Sequence, residues 1–462
     1  MVAELTSRAP ALRARISAAS ARVGPLELVA ALGAVLAALA GTIGADARWL
    51  SALGESIVRR GSIPDGIPWA SASSHGWHNV PVLAELTFRA LTSAAGSRGL
   101  LVAQIVAVGS AFLILAWDLR RSGAGELEGS FALLLAAIGS FPVLLVVRSQ
   151  LFSVVLFPVL IALLRAEARF PTRRIWLLVP LVALWSNLHG AVLVGLAGAG
   201  AYLIFDRARS QPLVAGAVLA VSTAAVCITP ALEHTPDYYY GLLRNEAARR
   251  GEGLWAPLSL SSGFDILLIV TAVVLIALAL WARPSLWELV VLAGLAVLTV
   301  KTARSGAWLL FFAAAPAARS LRFDPTRDDR RGSVFVLAVA VGLVVAGVAR
   351  GPLPSGAGKS LLADALRRAD GTPILADGIP AEQIAAARGR VWMSNPIDAF
   401  SAHDQRLYLD WLAGRPSGDA ALRHAEVVLV MRGGDPAKRL RHSKEFRQTA
   451  QDSKAAVFVR RR

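Results

Sequence analysis

Asp46 stands immediately after the first apolar run of this 462-residue chain. A carboxylate in that position can take a proton from an attacking hydroxyl, and it is equally placed to cap the helix that follows. Further polar residues mark the turns between later apolar runs. Arg148 and Gln150 lie between the third and fourth, Asn187 and His189 close the fifth, and Lys301 and Arg304 fill the turn between the ninth and tenth with no acid beside them. Outer turns are normally thinned of cations, and Arg or Lys at mid-helix costs about 2.5–3.5 kcal/mol. An anion on that face accounts for these cations, as does snorkelling to headgroups. His75 and His78 flank Trp77 and are candidates for a metal or a substrate contact. Glu233, His234 and Asp237 precede Tyr238-Tyr239-Tyr240, aromatics that stack on sugars or anchor at an interface. One stretch, Pro354-Ser355-Gly356-Ala357-Gly358-Lys359-Ser360, imitates a phosphate-binding loop, but Leu353 occupies the place of the first glycine and an apolar run precedes it. It reads as a linker into a helix.

The elements that must hold these residues are set by composition. With 55% hydrophobic and 17% charged residues and a mean hydropathy of +0.54, the chain is too apolar for a soluble protein, in which roughly a quarter of residues are charged. A single cysteine, Cys227, excludes a disulfide framework. The net charge of +16 is spread over the whole chain without a dense basic block, which argues against nucleic acid as a partner. A bilayer crossing needs about 20 apolar residues. Windows near 25–44, 98–117, 130–147, 150–164, 175–189, 190–205, 211–228, 264–282, 286–300, 306–319 and 333–349 meet or approach that length, predicting an α-helical polytopic membrane protein of about eleven spans.

Basic residues are retained on the cytoplasmic side. Arg8, Arg13, Arg15 and Arg22 precede the first window, and alternate loops carry Arg120 and Arg121, then Arg165, Arg169, Arg173 and Arg174, then the arginines of 206–210, 282–286 and 319–332. This arrangement predicts a cytoplasmic N-terminal segment 1–24, a membrane domain 25–349 with two long outer loops at 45–97 and 229–262, and an extracytoplasmic tail 350–462. The first outer loop reads as two amphipathic helices lying along the membrane face. One carries Trp49, Leu53 and Ile57 and ends at Gly61; the other runs from about Asn79 to Ala95. Glu85 is expected to face water or headgroups. In the tail, apolar runs at 373–376, 391–393, 427–431 and 455–459 alternate with helical stretches at 360–369, 380–388, 402–413 and 436–450, which predicts a small α/β domain.

Taken in order, Asp46-x-x-Trp49, Gly61-x-Ile63-Pro64, Trp77, Arg148-x-Gln150-x-Phe152 and Trp185-x-Asn187-x-His189-Gly190 resemble the GT-C superfamily of integral-membrane glycosyltransferases. The tail segment Val391–Phe400 looks like the soluble end of uncharacterised bacterial relatives. The resemblance implies a polyprenyl-phosphate sugar donor, a membrane-lipid environment, and a glycan, lipid or protein acceptor outside the bacterial cytoplasmic membrane. It further implies inverting transfer with Asp46 as base or as ligand of a divalent metal, no other cofactor, and Arg148, Lys301 and Arg304, with His189, near the donor phosphate. His75, His78, Glu233 and His234 are expected acceptor or loop contacts. Two positions depart from the pattern: Ala47 stands where many members carry a second acid, and Ser149 where a proline is common. A non-catalytic scaffold derived from the same fold and a lipid-linked-glycan transporter are the alternative readings.

Overall fold

The computed structural model describes residues 24–323 and 330–461; the expected cytoplasmic segment 1–24 lies, apart from Gly24, outside the described residues. Every apolar window contains a helix, and among the described residues four helices are long and apolar enough to cross a membrane: Val82–Arg121, Gln150–Arg169, Gly263–Trp281 and Ser333–Arg350. Their surfaces fit that environment. Val270, Val273, Phe335 and Val345 are each more than half exposed on helices that carry almost no charge. Hydrocarbon can cover such a face, whereas water would oppose it. The chain is thus a membrane-associated helical protein with a small sheet region.

Two windows are subdivided. In 130–147 the helix Glu126–Gly139 stops at Ser140, and a one-turn helix Phe141–Leu145 follows, because Pro142 cannot continue the hydrogen-bond ladder. The chain then extends into Val146–Val147 (β2), which pairs in parallel with Thr42–Ile43 (β1), so that Thr42 faces Val146 and Ile43 faces Val147. In Val82–Arg121 the backbone breaks at Ala95 and Gly96, where Gly96 adopts φ +58°. That value is open to glycine and strained for other residues. The break separates a helix, 82–95, from the long apolar segment that follows.

The tail holds a four-stranded mixed sheet. Ile374–Ala376 (β3) runs parallel to Val427–Met431 (β4), which is antiparallel to Ala455–Arg460 (β6), and Phe446–Gln451 (β5) forms the edge. The continuous apolar run of β4 suits a strand with a neighbour on each side. The helix expected over 436–450 is a shorter one, Asp435–Arg441, followed by β5. Arg447, Gln448 and Ala450 favour a helix intrinsically, but pairing with β6 overrides that preference, and Asp452 fixes the turn by accepting from the backbone N–H of Lys454 and Ala455 at 2.7 and 2.8 Å.

The apolar stripe of the helix Ala45–Arg60 is packed on protein: Trp49, Leu50 and Leu53 are buried in one core with Phe88 of the helix 82–95 and Ile384, Val391 and Trp392 of the tail. The intervening loop is hydrogen-bonded into the tail as well: Val391 donates to Trp69 O at 3.0 Å, Ser71 to Val391 O at 2.9 Å and Ala72 to Trp392 O at 2.8 Å. Glu85, expected at the surface, is fully buried and accepts from Asn79 Nδ2 at 2.8 Å. An amphipathic stripe needs an apolar cover, and here the cover is protein.

Candidate functional site

The β1–β2 pair sets the site. Gly44 donates its N–H to Val147 O at 3.0 Å, and a Cβ on Gly44 would stand 2.9 Å from that oxygen and 3.1 Å from Arg148 Cγ, so only glycine allows this approach. Gly44 is the N-cap of the helix Ala45–Arg60, and Asp46 is its second residue. The expected capping role of Asp46 is therefore not realised: its carboxylate makes no hydrogen bond to the described chain and instead lines a cavity of about 260 Å³.

Asp46, His189, Tyr238, Trp255, Arg304 and the tail segment Asn395–Asp398 surround this cavity. Arg304 sits on the one-turn helix Ala303–Ser305 with its guanidinium 4.2 Å over the Trp255 ring. Burial pushes the Arg304 pKa below its ordinary value; the Asp46 carboxylate opposes that shift and the Arg148 charge adds to it. Arg304 also lines an adjoining cleft of about 270 Å³ that runs past Phe264 and Leu268 of the helix Gly263–Trp281 and holds Arg148 and Asp265. The two spaces share Gln150, Leu254 and Arg304 as walls.

His189 is held by a chain of donors. Trp185 Nε1 donates to Ser153 Oγ at 2.7 Å, and Ser153 Oγ lies 2.7 Å from His189 Nδ1. The Ala191 N–H also points at Nδ1, at 3.2 Å. With the backbone donating to Nδ1 and the serine already accepting from tryptophan, Nδ1 is an acceptor. The neutral ring then carries its proton on Nε2.

The tail roofs the cavity. Arg250 pairs with Asp410 at 2.7 Å, Arg406 with Glu246 at 3.1 Å and Arg415 with Glu252 at 2.5 Å, so the loop 229–262 is latched to the tail helix Ala402–Leu412 and to the turn just past it. Asp398 accepts from Trp77 Nε1 at 3.0 Å and lines both the cavity and a surface groove of about 440 Å³ with His75, Trp77, His78 and Tyr238. Burial raises the Asp398 pKa and the Trp77 bond lowers it.

Of the residues singled out in the sequence, Asp46, His189 and Arg304 meet in one cavity and Arg148 stands in the adjoining cleft. Lys301 does not join them; it ends the helix Leu286–Lys301 with its side chain exposed. His75 pairs with Asp65 at 2.5 Å, and His78 stacks on His234 at 4.1 Å. Glu233 is exposed and lines neither space. Of the three adjacent tyrosines read as sugar-stacking or interfacial, Tyr238 lines the cavity; Asp398 and Trp255 carry no such signal in the sequence, although Asp398 lies in the tail stretch that carries the resemblance. The residues present do not fit a divalent cation. Among the described residues no three His, Cys, Asp or Glu side chains cluster, and the two cavity carboxylates share their space with Arg304. Nor do the amides of 354–360 cradle an anion: Ala357 N–H donates to Gln383 Oε1 at 2.8 Å and Gly358 N–H to Asp452 Oδ2 at 2.7 Å.

Behind the roof lies Glu382, fully buried, whose Oε1 accepts from the backbone N–H and the Nδ2 of Asn395 at 2.9 and 3.1 Å. Burial, reinforced by Asp46, raises its pKa from 4.5 to about 8 against the pull of Asn395 and Arg48. Folded protein therefore holds a proton there that the unfolded chain releases near 4.5. The contribution of Glu382 to stability is full below that pH and is lost as pH rises to about 8, by on the order of 1 kcal/mol per pH unit. The variant Glu382→Gln is expected to make the profile shallower than the parent's, read as melting temperature of the full chain in detergent from pH 5 to 9; parallel profiles for variant and parent would show that Glu382 does not titrate on unfolding.

No protein-family model matches the chain, and no curated protein is significantly similar to it.

Proposed function

We propose that the chain is a GT-C-type inverting glycosyltransferase of about eleven spans in the bacterial cytoplasmic membrane, with its N terminus inside and its tail outside. The donor is a polyprenyl-phosphate sugar and the acceptor a hydroxyl-bearing glycan, lipid or protein. The observation that carries this reading is the shared wall at Arg304: a cleft against a helix apolar enough to cross a membrane adjoins a second cavity that holds the otherwise unbonded Asp46 carboxylate. That arrangement suits a lipid-linked sugar, with the polyprenyl chain along Phe264 and Leu268, the phosphate between Arg148 and Arg304, and the sugar beside Asp46 and His189.

In the transfer, the acceptor oxygen attacks the anomeric carbon and its proton passes to Asp46. The bond from that carbon to the phosphate oxygen breaks, and the electron pair leaves with the polyprenyl phosphate. Negative charge grows on that oxygen between two preset cations, an arrangement that lowers the barrier because the cations need not reorganise. One displacement inverts the anomeric centre. His189 Nε2–H is a donor for a sugar hydroxyl, and the groove of Trp77, His78 and Tyr238 supplies stacking faces for an incoming acceptor.

The test is transfer from a panel of synthetic polyprenyl-phosphate hexoses and pentoses by the full chain in nanodiscs. Arg304→Gln is expected to lower kcat/KM about 10²–10³-fold, the range for removing one preset charge-stabilising donor. Failure of every donor to react, together with donor-phosphate binding indifferent to Arg304, would leave the scaffold reading in its place.

A further inference from the structure

A second cleft, of about 440 Å³, opens on the other side of the helix Ala45–Arg60, between that helix, the helix 82–95 and the tail. Five arginines line it: Arg59, Arg60, Arg89, Arg388 and Arg390, with Glu55 as the sole acid. Glu55 is divided between Arg89 at 3.3 Å and Arg388 at 3.4 Å. Arg59, Arg60 and Arg390 have no ion-pair partner among the described residues, and all three are exposed. The helix C-terminus accounts for part of the charge at Arg59 and Arg60, since cations there complement the last carbonyls. It does not account for Arg388 and Arg390, which the tail brings to the same cleft at a cost in mutual repulsion.

A separate observation points inward. Ser56 lines the cleft, is 4% exposed, and its Oγ has no hydrogen-bond partner; Thr92, also lining it, leaves its shielded Oγ1 unpartnered. Buried hydroxyls are normally paired. Two orphaned hydroxyls beneath a ring of arginines make a donor set for oxygen atoms of an anion. The place adds to the chemistry: Thr92 and Ser93 lie just before the break at Ala95 and Gly96, from which the chain enters its long apolar segment. The cleft therefore stands at the membrane edge.

We propose that this cleft is an anion site separate from the candidate active site, taking a phosphate-bearing group at the membrane edge. Arg59, Arg60 and Arg390 supply charge and bidentate donors, and Ser56 and Thr92 hydrogen-bond the phosphate oxygens. Two sources share this chemistry, an anionic lipid headgroup and a soluble phosphate, and separate arms distinguish them. In one, the detergent-purified full chain is offered phosphatidylglycerol or phosphatidylcholine and retained lipid is counted by native mass spectrometry. In the other, inorganic pyrophosphate is titrated calorimetrically.

The triple variant Arg59→Gln/Arg60→Gln/Arg390→Gln is expected to lose at least tenfold in binding on whichever arm binds, and Ser56→Ala to lose severalfold with its melting temperature unchanged. Retention of phosphatidylglycerol over phosphatidylcholine that the variants abolish assigns the site to lipid. Variant-sensitive pyrophosphate binding without lipid discrimination assigns it to soluble phosphate. Equal binding by parent, triple variant and Ser56→Ala on both arms, or no binding on either, overturns the site. Sugar transfer plays no part in the readout, so the outcome is independent of the proposed reaction.

Discussion

Replacing Asp46 by asparagine is expected to lower turnover about 10²–10⁴-fold while leaving donor binding intact, the range spanned by positioned general bases. The substitution keeps the shape of the side chain and breaks no hydrogen bond, because the carboxylate makes none within the described chain. Helix initiation is secured elsewhere: Gly44 is the N-cap, and the first turn loses only the dipole interaction of one acid, about 0.3–1 kcal/mol. Removing a negative charge from the neighbourhood of Arg304 cannot weaken that arginine's hold on an anion, so KM for the donor should stay level or fall. A fall in kcat with unchanged KM marks loss of an interaction made only in the transition state. Single-turnover transfer from a polyprenyl-phosphate sugar, with donor affinity measured separately, provides the two numbers. Equal turnover in parent and variant would remove Asp46 from the chemistry, and a comparable loss in Asp398→Asn alone would move the base to the tail.

The polar residues that end apolar runs were readable because a bilayer makes position along the chain equivalent to depth. Asp46, Arg148, His189 and Arg304 each follow or precede such a run, and the structure gathers them at one end of the helices. Lys301 satisfied the same rule and still points away, since depth says nothing about the direction in which a side chain leaves the helix. Periodicity likewise defined the stripe of Trp49, Leu53 and Ile57 without naming its cover. That cover is the helix 82–95 together with the tail, which lies more than 300 residues later, as in the bond from Trp69 Nε1 to Ser394 Oγ at 3.0 Å. Asp398, which supplies a second cavity acid where Ala47 offers none, depends on that same long-range docking. No local signal in the chain could have placed it there.

A second large effect is expected at the opposite end of the helix Gln150–Arg169, where Arg165→Met should destabilise the membrane domain by about 3–5 kcal/mol. The sequence assigns Arg165 to a cytoplasmic loop, but it lies within the helix, is 3% exposed, and pairs with Asp118 at 2.5 Å. Its second terminal nitrogen donates to Phe312 O at 2.6 Å. That carbonyl lacks its ordinary helical partner because the residue four positions on is Pro316, which has no N–H. One guanidinium therefore neutralises a buried acid and satisfies an orphaned carbonyl, with its plane also against the Phe312 ring at 4.8 Å. Methionine keeps the bulk but strands both acceptors. The double variant Asp118→Leu/Arg165→Met removes the unpaired charge and should recover much of the loss, because a buried pair contributes little net stability beyond an apolar replacement. Glu288, 3.8 Å from the Arg165 guanidinium, keeps only Arg319 at 2.9 Å in either background, so part of the loss is expected to remain in the double variant. Thermal unfolding in detergent of the parent, both single variants and the double gives the coupling energy directly. A double variant as unstable as the sum of the singles would show that Asp118 and Arg165 act independently.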